Sequence, residues 1–236
     1  TKNIGVIKME VIRNFEPENN FLQKVRDLAT KNGIVLIFDE CSSGFRECYG
    51  GIFNKYSVFP DITIFGKTIG NGYALTAVVG VKNVMKSAQD TFISSTFWTE
   101  RIGPTAALKT LEVMNNIKSW KIITSIGKKV RKAWLEITNK NNFKINISGI
   151  PALSSYAFEK NNLLLHTFVT QEMLKKGFLS SDRFYACIAH EDDVLDLYFN
   201  ALDEVFNSIS NFAHDPTQIK KMLNGPERHS GFKRLN

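Results

Sequence analysis

Cysteine is scarce: Cys41, Cys48 and Cys187 are the whole supply in 236 residues. An odd number without paired metal-ligand spacing supports neither a disulfide framework nor a zinc site, so reduced thiols are expected. Long apolar runs are lacking too. No uninterrupted stretch approaches the roughly 20 residues of a membrane-spanning helix, and the polar opening Thr1-Lys2-Asn3 has no apolar signal region behind it. A cytoplasmic location is the expectation that follows. Low-complexity tracts and fixed-period repeats are absent, which argues against a solenoid or a disordered tail. His166, His190, His214 and His229 lie apart without metal spacing, so no metal is expected.

What is present is an ordinary globular composition, 43% hydrophobic, enough to bury a sizeable core. The net charge of +7 is scattered, and its densest cluster (Lys128, Lys129, Arg131, Lys132) falls in a helical pattern. No nucleic-acid recognition motif accompanies it, so a solvated helix face, or mild attraction for an anionic cofactor and substrate, accounts for the charge. Neither nucleic acid nor membrane is expected as a partner. Thr1, not Met, opens the chain, and within four residues the apolar run Ile4-Gly5-Val6-Ile7 begins. The start therefore reads as a cut through a longer polypeptide.

The opening half alternates strand-like and helix-like segments, as in an α/β domain whose parallel strands are apolar on both faces. Residues 4–12 read as a strand, and Pro17-Glu18 opens a helical pattern to Asn32, closed by Gly33. Ile34 to Phe38 reads as a second strand ending in Asp39-Glu40. A Gly-bearing loop runs from Cys41 to Gly51, and a third strand, Asp61 to Phe65, ends at Gly66-Lys67. Ala77–Val81 is a further strand candidate and Pro104–Met114 a helix. Beyond about Ser119 a smaller α+β domain is predicted, so the expected division is 1–118 and 119–236. It contains helices over 120–139, 163–176 and 191–208 and strands over 143–147 and 183–189. Gly177 caps the second of these helices. Asp192 and Asp193, with Glu191, fall in the first turn of the last helix, where the macrodipole favours acidic side chains, and they are read as capping residues.

An Asp and a Lys thus each sit at the carboxyl end of an apolar strand, the edge where open α/β sheets bind ligands. Burying an ammonium in Phe65-Gly66-Lys67-Thr68-Ile69-Gly70-Asn71-Gly72 is costly unless the charge is used or neutralised. A Schiff base does that, and the freed amine then serves as a general base. A carboxylate such as Asp39 suits a pyridine nitrogen that must stay protonated. An isolated Gly-Lys-Thr would be a surface turn, and a lone Asp a cap; the pattern Gly-x4-Gly-Lys of a phosphate loop is missing.

The segments Phe38-Asp39-Glu40-Cys41-Ser42-Ser43-Gly44-Phe45-Arg46, Tyr49-Gly50-Gly51, Pro60-Asp61-Ile62-Thr63 and Gly66-Lys67-Thr68-Ile69-Gly70-Asn71-Gly72 carry, in order and spacing, a resemblance to the class III aminotransferases, in particular their glutamate-1-semialdehyde aminomutase branch. It extends, more weakly, to the end of the chain. The resemblance implies a fold-type I enzyme dependent on pyridoxal 5′-phosphate (PLP), here a partial large domain with a mostly parallel sheet followed by a small carboxyl-terminal α+β domain. It implies that Lys67 carries the cofactor, that Asp39 pairs with its ring nitrogen, and that Cys41 packs on the ring where the family usually has Val or Gln. Ser94-Ser95-Thr96-Phe97 is similar to a family segment whose threonine binds the cofactor phosphate of the neighbouring subunit, which makes Thr96 an expected contact across a homodimer. The family's phosphate-cradling Gly/Ser loop has no equivalent in this chain, and Trp98-Thr99-Glu100-Arg101-Ile102-Gly103 departs from its usual continuation. Arg101 is a candidate substrate contact; Glu40 and Arg46 are expected to order the loop and to form an ion pair. The implied activity is amino-group transfer between a small amine or amino acid and a carbonyl compound. Alternatives are an intramolecular aminomutase and, in another class, a catalytically silent fragment or dimerisation partner.

Overall fold

Val35-Leu36-Ile37-Phe38 is apolar on both sides, and it forms an inner strand of a four-stranded sheet. The computed structural model describes residues 4–212 and 215–231; His214 lies outside them. The chain divides into two compact units, Thr1–Thr124 and Ser125–Asn236, a boundary six residues beyond the expected one and inside a helix.

The first unit contains β1 (Val6–Met9), α1 (Phe21–Lys31), β2 (Val35–Glu40), β3 (Ile62–Phe65), β4 (Ala77–Gly80), α2 (Lys82–Met85) and α3 (Ile102–Ile117). Its sheet runs β1-β2-β3-β4, with β1–β2 and β2–β3 parallel and β3–β4 antiparallel. The last reversal follows from the short β3–β4 connection, which has no room for the crossover a parallel pair needs. β1 is shorter than the expected 4–12. α1 starts later than Pro17 because Asn19 and Asn20 both adopt left-handed backbone, whereas Gly33 ends the region after it at φ 65° as expected.

Asp61 fixes the register on which the sheet's site-bearing edge depends. Its Oδ2 accepts the Leu36 N–H at 2.7 Å and the Arg26 guanidinium at 2.9 Å, and its own N–H donates to the Leu36 carbonyl at 2.8 Å. One carboxylate therefore ties β3 to β2 and both to α1, whose Leu22 and Ala29 are buried.

The second unit holds most of α4 (Ser119–Lys140), then β5 (Ile145–Ile150), β6 (Leu153–Phe158), α5 (Asn162–Lys175), β7 (Arg183–Tyr185), α6 (Asp192–Ser210) and α7 (Pro216–Lys221). β5, β6 and β7 form an antiparallel sheet. Its core joins Val130 and Trp134 of α4, Phe168 and Met173 of α5, and Leu202, Phe206 and Ile209 of α6. The Trp134 Nε1–H reaches the Tyr198 hydroxyl at 3.0 Å, so the buried indole keeps its hydrogen bond. His166, 1% exposed, is a core residue, its Nε2 3.2 Å from the Tyr156 carbonyl. A carbonyl only accepts, so Nε2 carries the proton, and burial lowers the pKa to about 4. Asp192 and Asp193 do occupy the first turn of α6, but Glu191 at the cap position makes no side-chain cap bond.

Asp61→Ala should destabilise the chain by about 1.5–3 kcal/mol, the value of hydrogen bonds to a charged group. Urea denaturation measures it; a loss within error of zero contradicts the register role.

Candidate active site

Because β2 and β3 run parallel with Asp39 opposite Ile64 and Glu40 opposite Phe65, both acidic residues end β2 where β3 passes into Gly66-Lys67. Strand alternation sends the two acids to opposite faces: Leu36, Phe38 and Glu40 are fully buried, Ile37 and Asp39 only partly. The buried Glu40 orders the loop as expected. Its Oε2 accepts the Ser43 hydroxyl at 2.5 Å and its Oε1 the Phe53 N–H at 3.1 Å, so both ends of the loop after β2 are strapped to one carboxylate. Burial pushes its pKa up against those hydrogen bonds. At Gly44 a Cβ would stand 2.7 Å from the Glu40 carbonyl and 2.8 Å from the Phe65 ring, so only glycine lets the loop lie this close to β3. Arg46, expected in an ion pair, donates from Nε to the Ser42 carbonyl at 2.7 Å.

Asp39 is 25% exposed at its side chain. Its Oδ2 lies 3.0 Å from Lys8 Nζ on β1, and its Oδ1 accepts the Cys41 N–H at 3.1 Å. Burial pushes its carboxyl up, but the Lys8 ammonium and the Cys41 groups outweigh that and hold it below the usual range. Asp39 is thus a carboxylate kept ionised at a strand end.

Lys67 is exposed, not buried as expected, and its amine donates to the Ser42 hydroxyl. Lys67 stands at φ 44°, a left-handed backbone that costs a residue with a Cβ about 1–2 kcal/mol. Its carbonyl accepts the N–H groups of Gly70 and Asn71, which holds the turn in place. Beside it, Thr68 Oγ1 is buried with no hydrogen-bond partner among the described residues. A Cβ on Gly66 would meet Cys41 Sγ at 3.2 Å, so the thiol packs directly on the glycine backbone that precedes Lys67. Burial and the nearby Asp39 charge raise the Cys41 pKa, against the opposing pull of Lys67 and Lys8.

The structure therefore brings Asp39, Cys41, Ser42, Gly66 and Lys67 to neighbouring strand ends. Thr96 lies elsewhere, exposed in a turn over residues 96–99, and no hydrogen bond among the described residues joins it to them. Arg101 stands at the position preceding α3 and makes no cap bond; Glu100 caps that helix instead, accepting from Ile102 N and, at 3.2 Å, Gly103 N. Lys8, Ser42 and Glu100 had not been given these roles from sequence. For Lys8 a signal was there: it is the one charged residue in Val6-Ile7-Lys8-Met9.

The profile of the aminotransferase class-III family matches residues 14–203, across the strand ends and the loop just described. The chain belongs to the class III aminotransferases. It is 30% identical over 214 residues to the 3-aminobutyryl-CoA aminotransferase of Cloacimonas acidaminovorans (strain Evry), covering 88% of this chain and 49% of that protein. It is 27% identical over 211 residues to the glutamate-1-semialdehyde 2,1-aminomutase of Methanocaldococcus jannaschii, covering 82% and 49%. The chain spans about half the length of the curated relatives it matches. Among solved structures, the Sphingopyxis sp. MTA144 FumI protein, determined in its PLP internal aldimine form, superposes with a TM-score of 0.83 at 19% identity over 91% of this chain and 54% of that one. The fold is thus that of the fold-type I transaminases, with the mostly parallel sheet as its recognisable part.

Glu40 supplies a pH-dependent prediction. Its folded pKa lies above the ordinary 4.5, so the native state holds the proton more tightly than the unfolded chain. The resulting stabilisation is complete below 4.5 and is lost as pH rises through the folded pKa. Glu40→Gln cannot ionise, so its stability relative to the native chain should improve between pH 4.5 and pH 7, read by urea denaturation at both. A difference that does not change with pH contradicts the buried-carboxyl account.

Proposed function

We propose that this chain supplies the lysine and the ring-nitrogen carboxylate of a PLP-dependent aminotransferase acting on a small amine or amino acid and a carbonyl compound. The observation that carries the reading is the placement of Asp39 and Gly66-Lys67 at the ends of adjacent parallel strands within a family-matched segment.

The residues fit the cofactor. An ionised carboxylate is the acceptor that a protonated ring nitrogen requires, a primary amine is the group that an aldehyde condenses with, and a glycine with no Cβ lets backbone lie close beside them. The unpartnered Thr68 hydroxyl is a further polar atom at this end of the sheet. When bound, PLP supplies an electron sink for the carbon that carries the amino group. The chain's own residues do the rest. Asp39 holds the proton on the ring nitrogen by charge and hydrogen bonding. Lys67 would hold the cofactor through its amine and, once freed, would move a proton at the substrate carbon. Ser42, already bonded to the Lys67 amine, orients it, and Cys41 packs on Gly66 beside it.

Homodimerisation is part of the proposal, with Thr96 reaching the cofactor phosphate of a second subunit. The exposed apolar side chains around it, Phe92 at 98%, Phe97 at 77% and Trp98 at 66%, are a surface of the kind that interfaces cover. The three free cysteines suit the reducing cytoplasm. An aminomutase acting within one substrate is the second reading, favoured by the similarity to the archaeal aminomutase.

Incubation with PLP followed by borohydride should add the cofactor's mass to the peptide that contains Lys67, and Lys67→Ala should abolish the label. Asp39→Asn should keep the label but lower transamination about 100-fold or more, in line with the loss of a preorganised charge. A chain that takes up no PLP is the silent fragment, and label on other lysines alone contradicts the assignment.

A further inference from the structure

Lys8 is a charged residue in an apolar strand, and its side chain turns to one specific partner. Lys8 pairs with Ile37 across the parallel β1–β2 ladder, and Asp39 follows Ile37 by two residues, so Lys8 and Asp39 share one face of the sheet. Lys8 Nζ lies 3.0 Å from Asp39 Oδ2, while Oδ1 takes the Cys41 N–H. Both carboxylate oxygens therefore have a donor already. The oxygen free of the backbone is the one that holds the ammonium.

Resting on the reading that Asp39 receives a ring N–H, we infer that Lys8 is a positioning residue that acts through Asp39. Its ammonium keeps the carboxylate ionised and aimed before the cofactor enters, and it gives up Oδ2 to the ring N–H on binding. The two cations compete for one oxygen, and side by side they repel. Lys8 thereby sets how tightly the cofactor is held. Asp39 in turn holds the Lys8 ammonium in its charged form. The other groups that bear on the pair are Glu10 just beyond β1, Glu40 and Cys41, the two residues that follow Asp39, and, through Cys41, Lys67.

The test compares the native chain with Lys8→Met and Lys8→Arg. Without cofactor, the Asp39 carboxyl is titrated by carbon-detected NMR; its pKa should rise in Lys8→Met and return in Lys8→Arg. With PLP, the dissociation constant is read from absorbance. Lys8→Met should bind about threefold more tightly at low salt, the scale of an exposed ion pair. The gap should close toward 1 M salt, where the screening length falls to about 3 Å. An Asp39 titration indifferent to Lys8→Met overturns the inference, as does a PLP affinity that is unchanged, weaker or insensitive to salt. Failure of all three chains to take up PLP would instead count against the proposed function, and the cofactor-free titration would still decide whether Lys8 sets the charge on Asp39.

Discussion

The parallel pairing of β2 with β3 is the constraint on which the site depends. Asp61 clamps that pairing at its start, through Leu36 and Arg26, and everything downstream inherits the register. A slip of one residue would exchange the faces of Asp39 and Glu40, burying the acid that pairs with Lys8 and exposing the one that holds the loop. The Pro60-Asp61-Ile62-Thr63 segment is therefore structural in action although it serves the site. It fixes where a carboxylate and an amine end up without touching either.

At the strand ends, two adjacent acids do different work because the strand alternates. Glu40 goes inward and spends its oxygens on Ser43 and Phe53, which makes the loop that follows β2 a fixed wall. Asp39 goes to the other face, stays partly exposed, and is held ionised by Lys8 and Cys41. The strained Lys67 completes the edge. The buried acid is thus engaged by the loop, and the partly exposed one pairs with Lys8 and Cys41.

Much of this was legible in the sequence. The apolar runs marked β2 and β3 nearly to the residue, because short continuous apolar segments bounded by turn residues suit inner strands, and Gly33 and Gly177 marked helix ends through the left-handed backbone they adopt. β6 was not legible: Ser154 and Ser155 interrupt its apolar character, and the partners of their hydroxyls appear only once the chain is folded, Ser148 across the hairpin for Ser155, and Arg131 with the nearby Pro151 carbonyl for Ser154. α7 escaped as well, since a single turn capped by Asp215 carries little periodicity. For the site, residue types and spacing pointed to Asp39 and Lys67, but spacing says nothing of exposure. Lys67 proved exposed, and Lys8, far away in sequence, proved to be Asp39's partner across the β1–β2 ladder.

Where the Asp39 and Lys67 side chains go when the cofactor is present decides whether this edge of the sheet is the site. A crystal structure of the chain with PLP measures this directly. It should place the Asp39 carboxylate within hydrogen-bond distance of the ring nitrogen, with Lys67 Nζ bonded to the cofactor's aldehyde carbon and Lys8 withdrawn from Oδ2. Cofactor density attached elsewhere, with Asp39 still paired to Lys8 and Lys67 still in solvent, would contradict it.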